Sequence, residues 1–322
     1  MGFSRRCKQK KSDEKWRLFY VHYSLEKGEE MLKDQTIYEK YAPGRELVYA
    51  CAKSLDFLRE IPDRSIRLVF TSPPYNIGKE YETKTTMGVY LSDQVKVIRE
   101  LVRVLDDRGS LCWQVGNHVH NSVVSPLDMI YHPVFSDMGL RLKGRFVWTF
   151  GHGLHSKKRF SGRYEVVLWY TKGNEYINNL HSPTNDAPDI PFNLDPSIWD
   201  QIRSEWQTGV WNIPNVKSNH PEKTEHPCQF PVELAERCVL VLTKPGDVVL
   251  DPYAGVASTL IAAVKHGRRA CGSEKEERYI TIGSQRLRSF FEGKLKLRPL
   301  GKPIHIPSGK QVIKIQGIKP GA

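Results

Sequence analysis

The chain is short of the features that mark membrane, secreted or metal-binding proteins. No run approaches the roughly 18 apolar residues that a spanning helix requires. The opening residues MGFSRRCKQKKSDEKWR carry basic side chains with no apolar stretch behind them, which does not read as a secretory signal. The six cysteines (Cys7, Cys51, Cys112, Cys228, Cys238, Cys271) are scattered, with no Cys-x-x-Cys pair and no histidine at zinc spacing. Reduced thiols in a cytoplasmic protein are therefore expected, rather than disulfides or a metal site. Internal repeats and low-complexity tracts are lacking too. Acidic side chains are outnumbered 36 to 48 by lysine and arginine, a formal net charge of +12. Such an excess favours a polyanionic partner, because cations that neutralise phosphates release counterions.

What remains is an ordinary globular composition, 39% hydrophobic and 26% charged. A chain of 322 residues can bury a large core. Residues 1–44 are polar and basic and end at the turn Ala42-Pro43-Gly44, which reads as an extension. Helical spacing follows at 54–61, and Ile66 to Phe70 reads as a buried strand. A helix over 92–105, a turn at 106–109 and a strand over 110–115 come next. Two further strands, 146–150 and 165–170, flank a basic loop at 152–163. Residues 172–222 lose periodicity and are rich in Asn, Pro and Asp, as in a recognition segment or a long surface excursion. Order returns with a helix over 231–241 and strands at 248–250 and 269–272. Alternating strands and helices predict an α/β fold with a mostly parallel sheet.

Two constellations carry chemistry. In the first, a strand delivers Asp251, small residues (Ala254, Gly255, Ala257, Ser258) lead into a helix, and a second strand ends at Glu274. A doubly wound fold binds an adenosine-bearing cofactor with this layout, the later carboxylate accepting hydrogen bonds from ribose hydroxyls. The loop is not GxGxxG, which argues against a dinucleotide; a tight strand-to-helix turn without a ligand is the plain alternative. In the second, Thr71-Ser-Pro-Pro-Tyr75 ends a buried strand. Two prolines cannot continue a ladder, and they fix an extended loop. An aromatic amine is a poor nucleophile, because its lone pair is delocalised into the ring. The Ser72 hydroxyl and the Pro73 carbonyl, accepting its two N–H bonds, would draw the nitrogen towards sp3 geometry. Tyr75 could stack on a flipped base, with the ring rather than the hydroxyl doing the work. The alternative is a Pro-Pro turn capped by Thr or Ser.

Together these segments resemble the amino methyltransferases of restriction–modification systems, over residues 46–300. Phe70-Thr-Ser-Pro-Pro-Tyr75 is similar to the family's catalytic motif in its cytosine-N4 form, and Asp251-Pro-Tyr-Ala-Gly-Val-Ala-Ser-Thr259 looks like its cofactor loop. His226-Pro-Cys-Gln-Phe-Pro231 looks like the segment just upstream that also contacts cofactor. The order, catalytic motif first, is similar to the circularly permuted beta group. The resemblance implies a doubly wound, mostly parallel seven-stranded sheet with one antiparallel strand, plus a small target-recognition segment. It implies a catalytic half over 45–171, target recognition over 172–222, a cofactor half over 223–292 and a tail over 293–322. S-adenosyl-L-methionine would be held by His226, Pro227, Phe230, Asp251, Pro252, Tyr253, Ala254, Gly255, Ala257, Ser258, Thr259 and Glu274. Ser72, Pro73, Pro74 and Tyr75 would be catalytic, and transfer would be direct, without a metal.

The partner implied is double-stranded DNA, with a cognate restriction endonuclease as a functional counterpart and a monomer or homodimer as the assembly. Asn76, Lys157, Lys158, Arg159 and Arg163 are the candidate DNA contacts, the basic loop holding phosphates near the flipped base. A solvated basic loop is the plain alternative there. His152 and His155 read as polar loop residues rather than ligands. Pro227-Cys228-Gln229 mimics the cysteine motif of cytosine-C5 enzymes, but it precedes the cofactor loop instead of following it. There are three departures from the family pattern: Tyr253 for Phe, Ala257 for Gly, and Ala52-Lys53 where Gly-Asp is frequent. The same reaction on adenine N6, an RNA or protein-amide substrate, and a silent DNA-binding protein stay open as alternatives.

Overall fold

Apolar runs rich in Val, Leu and aromatic residues become the central strands, as their β propensity requires. In the computed structural model, which describes residues 35–80, 82, 84–150, 160, 162–181, 196–217 and 219–302, they are β1 (Leu47–Cys51), β2 (Ile66–Thr71), β3 (Leu105–Val115), β6 (Arg141–Thr149), β7 (Tyr164–Thr171), β9 (Val248–Asp251) and β10 (Arg269–Glu274). A short β8 (Val210–Asn212) joins them, and β4 (Asn117–His120) pairs with β5 (Val123–Pro126) as a separate hairpin. The large sheet has the order β1-β10-β9-β2-β3-β7-β6-β8. All of its described neighbours pair in parallel except those of β7, which runs against both β3 and β6.

Seven α-helices connect and cover the sheet among the described residues: α1 (Ser54–Arg59), α2 (Met87–Val104), α3 (Leu127–Asp137), α4 (Pro196–Thr208), α5 (Val232–Leu242), α6 (Ser258–Val264) and α7 (Glu277–Phe291). Alternate side chains of one strand point to opposite faces, so β2 sends Leu68 and Phe70 into one core and Val69 into the other. The first core is closed by apolar residues of α4, α5, α6 and α7, the second by those of α1, α2 and α3.

The α/β expectation is met, with one reversed strand as the resemblance implied. The sheet has eight strands instead of seven, because β8 adds an edge beside β6. That strand lies within 172–222, whose described part packs on the sheet: Trp199, Ile202, Trp211 and Ile213 are all buried in the first core. Two boundaries also shift. Helix α2 begins at Met87, five residues before the apolar repeat, because Thr86 caps it by accepting from the Val89 N–H. The turn foreseen at 106–109 sits inside β3 as a bulge, since Ile66 pairs with Leu105 but Leu68 pairs with Ser110. Residues 293–302 of the expected tail are anchored rather than loose. Arg298 donates to Glu233 at 2.6 Å, and Leu300 is buried.

Candidate active site

The two constellations meet because their strands are neighbours. β2 and β9 pair in parallel (Leu68 with Val249, Val69 with Leu250), so the loops that leave their carboxyl ends open side by side. Open α/β sheets form their ligand crevice there, where the strand order turns back on itself. Asp251 joins the two loops. Its Oδ1 accepts from the Thr71 hydroxyl at 2.6 Å and from the Tyr253 N–H at 3.1 Å, while Oδ2 accepts from the Thr259 hydroxyl at 2.6 Å. Burial lifts this carboxyl to about 6, against the pull of those hydrogen bonds.

A cavity of about 780 Å³ lies above the junction, within the range of small-molecule sites. Of the twelve residues expected to hold cofactor, Pro252, Tyr253, Ala254, Gly255, Ser258, Glu274, His226, Pro227 and Phe230 line it. Asp251, Ala257 and Thr259 stand behind that lining, buried, with both oxygens of Asp251 committed to the scaffold. The floor is close-packed. Gly272 on β10 has no room for a side chain, as a Cβ there would come within 2.7 Å of the Asp251 carbonyl. Gly255 and Ala257 both take left-handed backbone (φ +51° and +65°), a conformation that suits glycine and costs alanine. Arg286, which the sequence did not single out, reaches from α7 to the Val256 carbonyl and to Ser258 Oγ, propping the loop from behind.

At the cavity rim, Glu274 ends β10 and is held by backbone. The Glu276 N–H donates to its Oε1 at 2.8 Å, while burial raises its pKa against the pull of nearby backbone N–H groups. Lys53, the departure from the family pattern, lines the cavity from the start of α1. His226 is pushed down to about 4 by burial and so is neutral, its ring 4.4 Å from that of Tyr279. Cys228 lines the same cavity and donates its N–H to His226 Nδ1 at 3.2 Å.

The catalytic loop is held on both sides. Tyr90 of α2 donates to the Pro74 carbonyl at 2.7 Å, and His118 of β4 sits 3.2 Å from the Tyr75 carbonyl. Ser72 Oγ lies 3.2 Å from the Tyr75 hydroxyl, which in turn donates to Glu165 Oε2 at 3.3 Å. Gln114 Nε2 donates to the same carboxylate oxygen. Gly116 leaves the space for this arrangement, since a Cβ there would meet Tyr75 and Glu165 at 3.2 and 3.3 Å. Gln114 and Glu165 were missed in the sequence; the available signal was a glutamine within an otherwise apolar strand. Burial raises Glu165 to about 7 and Tyr75 well above its usual value.

The expected DNA contacts fare differently. Asn76 is buried, at φ +56°, and its amide both donates to and accepts from the backbone of Thr85, at 2.9 and 2.8 Å. That bracket, with Glu82 accepting the N–H groups of Asn76 and Ile77, closes the loop after the catalytic motif, and Asn76 lines the cavity beside Tyr75. Arg163 is half-buried where β7 begins, and Lys157, Lys158 and Arg159 lie outside the described residues. No helix among the described residues is long and apolar enough to cross a membrane, and no metal-binding cluster of His, Cys, Asp or Glu is found among them.

A family model for DNA methylases of the N6/N4 type matches residues 66–285. The chain is similar to the type II methyltransferase M.BglII of Bacillus subtilis, 38% identical over 238 residues, 72% of this chain and 66% of that protein. It is 31% identical to the type II methyltransferase M.ScaI of Streptomyces caespitosus, over 73% of this chain and 79% of its relative. The DNA adenine methyltransferase YhdJ of Escherichia coli (strain K12) is 30% identical over 71% and 79%. Among solved structures, a putative DNA modification methylase of Thermus thermophilus, complexed with S-adenosyl-L-methionine, aligns with a TM-score of 0.57 at 28% identity, covering 74% of this chain and 92% of that one. The PvuII DNA methyltransferase (cytosine-N4-specific) shares the fold, with a TM-score of 0.59 at 20% identity over 77% and 92%.

Proposed function

The chain belongs to the N6/N4 DNA methylase family, and from that membership we propose that it methylates the exocyclic N4 of cytosine within a specific duplex DNA sequence. S-adenosyl-L-methionine is the methyl donor, and an exocyclic amine of a DNA base is the acceptor. The observation that carries the reading is the meeting of the Ser72–Tyr75 and Pro252–Gly255 loops in one cavity, joined beneath by Asp251. The residues there suit the donor. Glu274 is a carboxylate on the cavity wall at the end of β10, suited to a ribose diol, and Gly255 leaves backbone bare beside it. When bound, the donor supplies an electrophilic methyl group.

The protein's own contribution is positional. Ser72 Oγ and the Pro73 carbonyl accept the two N–H bonds of the amine, and the freed lone pair faces the methyl carbon. Holding both reactants in line converts a bimolecular encounter into a unimolecular step. Tyr75 stacks on the extruded base. The Thr-Ser-Pro-Pro-Tyr spelling, with Ser72 at the variable position, supports cytosine over adenine. Similarity to the E. coli adenine methyltransferase favours a second reading, the same transfer to adenine N6. Lysines at the cavity rim, Lys53 and Lys217, with the basic loop at 157–159, suit DNA phosphates. Mass spectrometry of nucleosides from DNA treated with the purified protein decides: N4-methylcytosine is expected, N6-methyladenine overturns the base, and 5-methylcytosine overturns the chemistry.

A further inference from the structure

We propose that Glu165 receives the proton released by the target amine, through a relay formed by the hydroxyls of Ser72 and Tyr75. The inference rests on the methyl transfer proposed above. In that step the amine lone pair forms the new N–C bond, and the electrons of the broken S–C bond stay on sulfur. The nitrogen becomes cationic and must shed one proton. Ser72 Oγ, already accepting that N–H bond, takes the proton as its own hydroxyl proton passes to the Tyr75 oxygen. The Tyr75 proton moves to Glu165 Oε2 in turn. Atoms and charge balance, because a carboxylate ends as a carboxylic acid and no outside base is consumed.

Each link is present in the structure: 3.2 Å from Ser72 Oγ to the Tyr75 hydroxyl, and 3.3 Å from there to Glu165 Oε2. Glu165 lines the cavity itself, where the acquired proton can return to solvent once product leaves. Gln114 fixes the carboxylate from β3 by donating to the same oxygen. Across the strand pair, β6 presents Trp148, which carries no charge. Among the described residues, the titratable groups that face Glu165 are Tyr75 from the loop and Lys217 from the segment after β8, the latter pulling the carboxyl down. Burial outweighs it and leaves the group at about 7, where a general base is most effective near neutral pH. Tyr75 thus uses its hydroxyl as well as its ring, a role with no local signal in the sequence.

The test is single-turnover methylation by the full-length protein, followed from pH 5.5 to 8.5 on an unmethylated duplex DNA that the wild-type protein modifies. The wild-type rate constant should climb as pH rises through about 7 and level off above it, because the ionised carboxylate is the acceptor. Glu165→Gln should lower the plateau by about 100-fold, the usual scale of general-base assistance, and abolish that climb. Glu165→Asp should recover part of both. Tyr75→Phe, which removes only the bridging oxygen, should lose the climb while keeping the affinity for DNA. Donor affinity and thermal midpoint should stay at wild-type values throughout. A Glu165→Gln or Tyr75→Phe protein with the full rate and an unchanged pH limb overturns the relay. A wild-type protein that yields no methylated nucleoside overturns the transfer itself, so the two failures are distinguishable.

Discussion

In the proposed reaction Ser72 orients the amine and Glu274 holds the donor, and each can be removed without touching the other. Ser72→Ala should slow turnover by about 10- to 1000-fold, the range for losing one well-placed transition-state hydrogen bond, while isothermal titration with S-adenosyl-L-methionine stays unchanged. Glu274→Ala should do the reverse, weakening donor binding by about 1.5 to 3 kcal/mol as for a lost charged hydrogen bond, with DNA affinity preserved. Cys228→Ser should stay active, since amine methylation needs no covalent nucleophile even though Cys228 lines the cavity. Ala257 offers a prediction of opposite sign. Its left-handed backbone (φ +65°) costs about 1 to 2 kcal/mol, and glycine's extra freedom in the unfolded chain returns only part of that. Ala257→Gly should therefore raise the thermal midpoint by a few degrees in calorimetry. Both loops were legible in the sequence because each is one contiguous stretch, with its chemistry in adjacent letters. Glu165 was not, since it reaches Tyr75 across 90 residues and Gln114 across 51, through strand pairing that no local pattern encodes.

Elements follow the same division. Strands and helices with a clean apolar period, such as β2, α5 and β9, were readable at their sequence positions. The segment 172–222 was not, because β8 is three residues long and α4 is amphipathic in a polar setting. Its Trp199, Trp206 and Trp211 were the available sign that it packs on the sheet. The main electrostatic anchor is Arg237 of α5, fully buried, donating to Glu205 of α4 at 2.6 Å and to Glu233 of its own helix at 2.7 Å. Glu233 also takes Arg298 from the last described residues, so the series Glu205–Arg237–Glu233–Arg298 ties three parts of the chain. Removing Arg237 leaves Glu205 without this partner and Glu233 with Arg298 as its remaining cation. Arg237→Ala should cost about 3 to 5 kcal/mol by denaturant titration, with both α4 and the 293–302 segment loosened in hydrogen exchange.

For the whole molecule, the +12 charge should appear as steep salt dependence of DNA binding, each phosphate contact adding about 0.9 to the log–log slope. Neutralising Lys157, Lys158 and Arg159 together should flatten that slope, measured by fluorescence anisotropy across a salt series. An unchanged slope would move the footprint to other cations. The sheet order has a consequence of another kind. Among the described strands β1 pairs with β10, and Thr71 waits for Asp251, 180 residues further along. A ribosome adds about 5 to 20 residues per second, so the catalytic loop emerges roughly 10 to 35 seconds before the strand that completes its floor. Through that interval one edge of β2 and the inner edge of β1 stand unpaired. Unpaired strand edges invite misassociation, so the nascent chain carries that exposure in strands that later support its active site.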